Sequence, residues 1–162
     1  MSRARWRVGG SAFAVAVLLV GTLVAVGSTS HRSAESTLTY AGVRRLVVDN
    51  TGGSGTLRVR GGGTTVTVHR RASWSLSRPR LAERRTGDTL TLTGDCHGDR
   101  VINVRVNCAV DYDIDLPPRT RLVATTAGRV DVTGVTGPID LTAPGPITVT
   151  GAHGPVSTRT RR

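Results

Sequence analysis

Thr125 to Leu141 reads TTAGRVDVTGVTGPIDL, and the next seventeen residues, Thr142 to Thr158, read TAPGPITVTGAHGPVST. Superposed, the two stretches are identical at Thr125/Thr142, Gly128/Gly145, Val132/Val149, Thr133/Thr150, Gly134/Gly151, Gly137/Gly154 and Pro138/Pro155, with Val130/Ile147 and Ile139/Val156 conservative. Within each unit the aliphatic residues fall in pairs of equal parity: Val130 and Val132, Ile139 and Leu141, Ile147 and Val149. A side-chain period of two is the signature of a strand with one buried face. Gly128, Gly137, Gly145 and Gly154 mark the start of each strand, and the repeating unit is a pair of strands, because a position resembles the one seventeen ahead more than the one nine ahead. Stacking such units like on like makes a β-solenoid. An antiparallel meander with strands every eight or nine residues is the competing arrangement.

Upstream the same alternation recurs at Leu46/Val48, Leu57/Val59, Val66/Val68 and Leu90/Leu92, each followed by a glycine-rich or polar break. A longer strand is expected from Val104 through Cys108, Val110, Tyr112 and Ile114 to Leu116, with Arg105, Asn107, Asp111, Asp113 and Asp115 on its wet face. The domain is therefore all-β, a short β-solenoid or β-helix-like stack, with Val, Leu, Ile and Thr filling a narrow core. His69 to Arg85 interrupts the rhythm and reads as an exposed loop or edge ribbon, and Ser33 to Thr39 as a polar tether.

Arg3, Arg5 and Arg7 precede an uncharged run from Val8 to Ser30. Such a run spans the roughly 30 Å hydrocarbon core of a bilayer, and the arginines hold the N-terminus in the cytoplasm. The expected organisation is a cytoplasmic arginine-rich start and single transmembrane signal-anchor over 1–33, a tether over 34–42 and an extracytoplasmic domain over 43–162. A cleaved signal peptide, cut near Ala25-Val26-Gly27, is the alternative. The net charge is +11, carried by arginine without a single lysine. Outside the cytoplasm such charge points to anionic lipid, a cell-wall polymer or another envelope protein before nucleic acid.

Cys96 and Cys108 are the only cysteines, and an exported pair is read as a disulfide. A metal site using His97 lacks a fourth ligand and the C-x2-C spacing of zinc sites. Asp111, Asp113 and Asp115, spaced about 7 Å apart along one strand face, read as a solvated row paired with Arg105, Arg119 or Arg121 rather than a calcium site. Catalytic patterns are poor: Gly52-Gly53-Ser54-Gly55-Thr56 has Thr where a nucleophile elbow needs its last glycine, and no glycine cluster matches a P-loop or dinucleotide fingerprint. His31, His69, His97 and His153 are scattered singly. No enzyme activity, metal or cofactor is expected. The best candidate for binding an anion is the arginine-rich stretch, with Arg70, Arg71, Arg78, Arg80, Arg84 and Arg85 as phosphate or carboxylate forks and Trp74 as a stacking surface. A solubilising loop in an arginine-biased chain explains the same residues.

The run Cys108 to Thr120, followed by Leu122 to Gly128 and the Gly-Arg-Val-Asp-Val-Thr-Gly repeat, resembles the bacterial "putative adhesin" β-strand-repeat family, domain of unknown function 4097, over roughly Leu46 to Val156. The resemblance implies an extracytoplasmic β-helix tethered by one helix, without enzymatic activity. The expected function is a membrane-tethered, non-catalytic, adhesin-like binding or structural module of the envelope. The alternatives are an accessory subunit of an envelope-stress sensor and a carbohydrate-active enzyme on a β-helix. The final strand, around Val156, leaves an open edge that Arg159, Arg161 and Arg162 guard by charge, so a monomer is expected.

Overall fold

The computed structural model describes residues 32–75, 77–96 and 108–161. Among them are twelve strands and no helix: β1 Arg32–Tyr40, β2 Arg45–Asn50, β3 Leu57–Gly61, β4 Val66–Trp74, β5 Arg80–Thr86, β6 Thr89–Asp95, β7 Cys108–Leu116, β8 Arg121–Thr126, β9 Val130–Thr133, β10 Ile139–Ala143, β11 Ile147–Thr150 and β12 Val156–Thr160. They form two mixed six-stranded sheets, sheet A in the order β1-β4-β7-β3-β9-β11 and sheet B in the order β12-β10-β8-β2-β6-β5. The apolar run of residues 8–30, the start of the long strand at Val104 and Val106, and His97 lie outside the described residues.

From β6 onward the chain alternates between the sheets, one strand in B and the next in A. The seventeen-residue repeat becomes a register: Ile139 of β10 pairs in parallel with Leu122 of β8 and with Val156 of β12, and Ile147 of β11 with Val130 of β9. Like residues thus stack in the interior, where Leu122, Val130, Val132, Ile139 and Leu141 are at most 2% exposed. The stacking does not follow chain order throughout. β2 lies between β6 and β8, and β3 between β7 and β9, all in parallel. An N-terminal pair of strands therefore forms the central layer of the stack.

Glycine explains how the layers come so close at one corner. Gly55, Gly128 and Gly145 sit where successive layers turn from sheet B to sheet A. A Cβ on Gly128 would overlap the Gly55 carbonyl oxygen, and one on Gly145 would stand 2.8 Å from the Gly128 carbonyl oxygen. The glycine spacing seen in the sequence is thus a column of backbone contacts, and it runs through the inserted layer as well as the repeats.

Two expectations need correction. The segment assigned as a tether is β1, a nine-residue strand paired antiparallel with β4 along its whole length. Its inward positions are Ala34, Ser36, Leu38 and Tyr40, and the small Ala34 and polar Ser36 hide the alternation in its first half. The stretch read as an exposed loop or ribbon divides in two. Residues up to Trp74 belong to β4, an internal strand between β1 and β7, whereas β5 is an edge strand. Arg70 falls at an inward position and masks the parity of Val66, Val68, Ala72 and Trp74.

Cys96 and Cys108 form a disulfide with their Cα atoms 5.8 Å apart. Cys96 follows β6 in sheet B and Cys108 opens β7 in sheet A, so the bridge joins the two sheets. Closing so short a loop restricts the unfolded chain by about 3 kcal/mol.

Gly128→Ala is expected to lower stability by about 2–3 kcal/mol, because the methyl group must push one layer's backbone off the next. Thermal unfolding followed by circular dichroism measures this, and an unchanged melting temperature contradicts the packed column.

Candidate ligand-binding surfaces

The seven residues singled out as an anion site do not meet. Arg70 points into the space between the sheets, where its Nη1 donates to Glu83 Oε1 at 2.9 Å and its Nε to Ser36 Oγ at 3.2 Å. Arg85 is spent on main-chain oxygens, Nη2 on Ala41 at 2.9 Å and Nε on Gly87 at 3.2 Å. Arg71 lies on the outer face of sheet A and pairs with Glu35 at 2.7 Å. Arg80 and Arg84 are exposed on the outer face of sheet B. Trp74 is 9% exposed at the end of β4 and opposes Cys108, with the Arg78 guanidinium 5.6 Å from its ring centroid. Trp74 and Arg78 thus share one end of the strands, while the remaining arginines divide among both sheets and the interior.

Glu83 is the residue the sequence reading missed. It lies on the inward face of β5 and joins sheet B to sheet A through Arg70 and through Tyr40, whose hydroxyl donates to Glu83 Oε2. The Arg70 and Glu83 side chains are 13% and 27% exposed, so this ion pair is screened less than a surface pair. Tyr112 lies deeper, 1% exposed, and burial pushes its hydroxyl ionisation up against the opposing pull of Arg70. The Tyr112 hydroxyl and Asn50 Oδ1 lack well-formed hydrogen bonds among the described residues, and both approach Gly94. A Cβ there would stand 2.7 Å from Asn50 Oδ1 and 3.0 Å from the Tyr112 oxygen. Together these groups form a polar plug in a mainly aliphatic core, at the end of the stack where β1 and β5 are the edge strands.

The outer face of sheet A carries the aspartate row. Neither Arg119 nor Arg121 pairs with it, and Arg105 lies outside the described residues. Arg60 of β3 reaches Asp113 at 3.0 Å and Asp115 at 3.1 Å, and Asp111 accepts the Thr56 amide at 2.7 Å. Beside the row, a groove of about 170 Å³ is lined by Glu35, Thr37, Arg58, His69, Arg71 and Asp113, with His69 Nδ1 2.9 Å from Thr37 Oγ1. Among the described residues no three His, Cys, Asp or Glu side chains are grouped to hold a metal ion.

The chain matches no protein-family model and none of the curated proteins. It is similar to solved structures at low identity. One is a "putative cell adhesion protein" of Clostridium sporogenes, with 11% identity and a TM-score of 0.48 over 70% of this chain and 57% of that one. A "putative lipid binding protein" of Parabacteroides distasonis has 11% identity and a TM-score of 0.44 over 78% and 52%. A "putative adhesin" of the same organism has 13% identity and a TM-score of 0.38 over 79% and 65%. The chain spans about half the length of the first two.

Tyr40 gives the plug a pH signature. Partial burial, then the hydrogen bond to Glu83 and its charge, raise the Tyr40 hydroxyl to about 12 from the ordinary 10.0, with Arg70 opposing. A group held protonated by folding contributes stability in full below its unfolded value and loses it as pH climbs through the folded one. The wild-type protein should therefore lose stability between pH 10 and about 12. Tyr40→Phe should flatten that part of the denaturant-midpoint profile, and an identical slope in the variant removes Tyr40 from the plug.

Proposed function

We propose that the chain is a membrane-tethered, extracytoplasmic, non-catalytic β-repeat module, a short β-solenoid with adhesin-like use of its faces for binding in the cell envelope. The observation that carries this reading is the Cys96–Cys108 bridge between the sheets. Such a bridge forms and persists in oxidising compartments, and the apolar run behind Arg3, Arg5 and Arg7 supplies a route there. The pattern of polar side chains supports a presenting surface. Arg60, Asp113 and Asp115, and likewise Arg71 and Glu35, are engaged in cross-strand pairs that fix the outer face of sheet A. Pairs of this kind hold side chains in register without placing an acid, a base and a nucleophile around one point.

A reporter enzyme fused after Arg162 should be active only outside the cytoplasm, with the protein in the membrane fraction. Both cysteines should resist alkylation until a reductant is added. Free thiols in protein taken from living cells refute the compartment, and a mature N-terminus at Ser28 with the protein free in the medium refutes the tether.

A further inference from the structure

At the end of the strands opposite the disulfide, two adjacent strands of sheet B begin with arginine. Arg45 opens β2 and Arg121 opens β8, and the two are direct partners in the parallel register. They precede the buried Leu46 and Leu122, so both side chains lie on the outer face of sheet B, one strand spacing of about 4.8 Å apart. Arg44 adjoins them, its carbonyl oxygen accepting the Arg121 amide at 2.8 Å. Arg119 stands in the turn before β8, its amide donating to Thr136 Oγ1 at 3.2 Å. All four residues are exposed, and among the described residues no carboxylate pairs with any of them. Asp88 lends its main-chain oxygen to the Arg44 and Arg45 amides, while its carboxylate is 3.5 Å from Thr89 Oγ1.

Two features of this ridge cost stability. Like charges directly opposite on neighbouring strands repel. Arg119 also has φ of 64°, the left-handed conformation that strains any residue with a Cβ. Elsewhere the described chain gives this conformation to glycine: Gly42, Gly62, Gly87, Gly134 and Gly151. Only beside Arg121 does it keep an arginine. Repulsion and strain located together are expected where side chains are retained for a ligand rather than for the fold.

We infer that Arg44, Arg45, Arg119 and Arg121 form a binding ridge for a linear phosphodiester polymer. Guanidinium forks take phosphate oxygens two at a time, and a phosphate between Arg45 and Arg121 cancels their repulsion. All four residues are exposed to water, so a lone small anion gains little from them. A chain that repeats its charge occupies several arginines at once and gains from their joint attachment. A lipid surface fits less well. The neighbours on this face are Val47 and Val123, half-buried, and the one large hydrophobic residue exposed among those described, Val156, lies on β12. The inference rests on the reading of the chain as an envelope binding module and adds the site and the chemistry of its ligand.

The test uses the full chain in nonionic detergent, with a poly(glycerol phosphate) oligomer as the probe. Arg121→Gln and Arg119→Gly should each weaken binding about fivefold or more, and together more than tenfold. Without polymer each should raise the melting temperature by roughly 1–3 °C. The double variant Arg32→Gln/Arg129→Gln, with the same change of charge away from the ridge, should bind within twofold of wild type. Inorganic phosphate should compete only at millimolar concentration. Equal losses in the ridge and control variants, or unchanged binding in stably folded ridge variants, overturn the site. Phosphatidylglycerol vesicles bound as tightly per phosphate, with the same dependence on the ridge, overturn the polymer as its ligand. Binding to the purified chain is measured without reference to its cellular location, so a failed ridge and a failed envelope assignment are distinct results.

Discussion

Every layer of the stack depends on the placement of β2 and β3 at its centre. Each has both edges hydrogen-bonded in parallel, β2 to β6 and β8, and β3 to β7 and β9. Backbone donors and acceptors in a buried strand must be paired, and here an N-terminal segment pairs them for strands from two later parts of the chain. Leu46, Val48, Leu57 and Val59 of this layer are at most 1% exposed, so it is also the middle of the hydrophobic core. Contacts of such long sequence separation make for slow folding, because loop closure must precede the gain from pairing.

The two ends of the stack are finished differently. At one end the antiparallel strands β1 and β5 form the edges, and Arg70, Glu83 and Tyr40 tie the sheets together between them. At the other, β12 is exposed along its whole length and Val156 is 44% exposed. Arg159 lies 3.6 Å from Asp140 of the neighbouring strand, so the charge on this edge strand is partly held in place by an ion pair.

Much of the fold was legible because glycine and alternating aliphatics report strand parity directly. Gly128 and Gly145, and Val130 and Val132, stood out through a seventeen-residue period that the parallel register reproduces. The position of β2 and β3 was not legible, since parity identifies a buried face and says nothing about which strand lies alongside. The same limit hid the ridge: Arg45 and Arg121 are far apart in the chain and meet only through that insertion. The arginine-rich stretch drew attention by local density, yet charge density does not distinguish Arg70, turned inward to Glu83, from Arg84 on the surface. β1 was missed because Ala34 and Ser36, two of its four inward residues, are too small or too polar to betray a strand.

The full pairing of β1 with β4 also has a mechanical meaning. The chain enters the domain at Arg32, which opposes Trp74, and β1 runs antiparallel to β4 through nine residue pairs to Tyr40 opposite Val66. Hydrogen bonds in such a pair lie perpendicular to the strands. A pull on Arg32 along the strand axis loads them together in shear instead of opening them one after another. Under a force applied in that way, the first rupture requires the whole nine-pair ladder to slip at once.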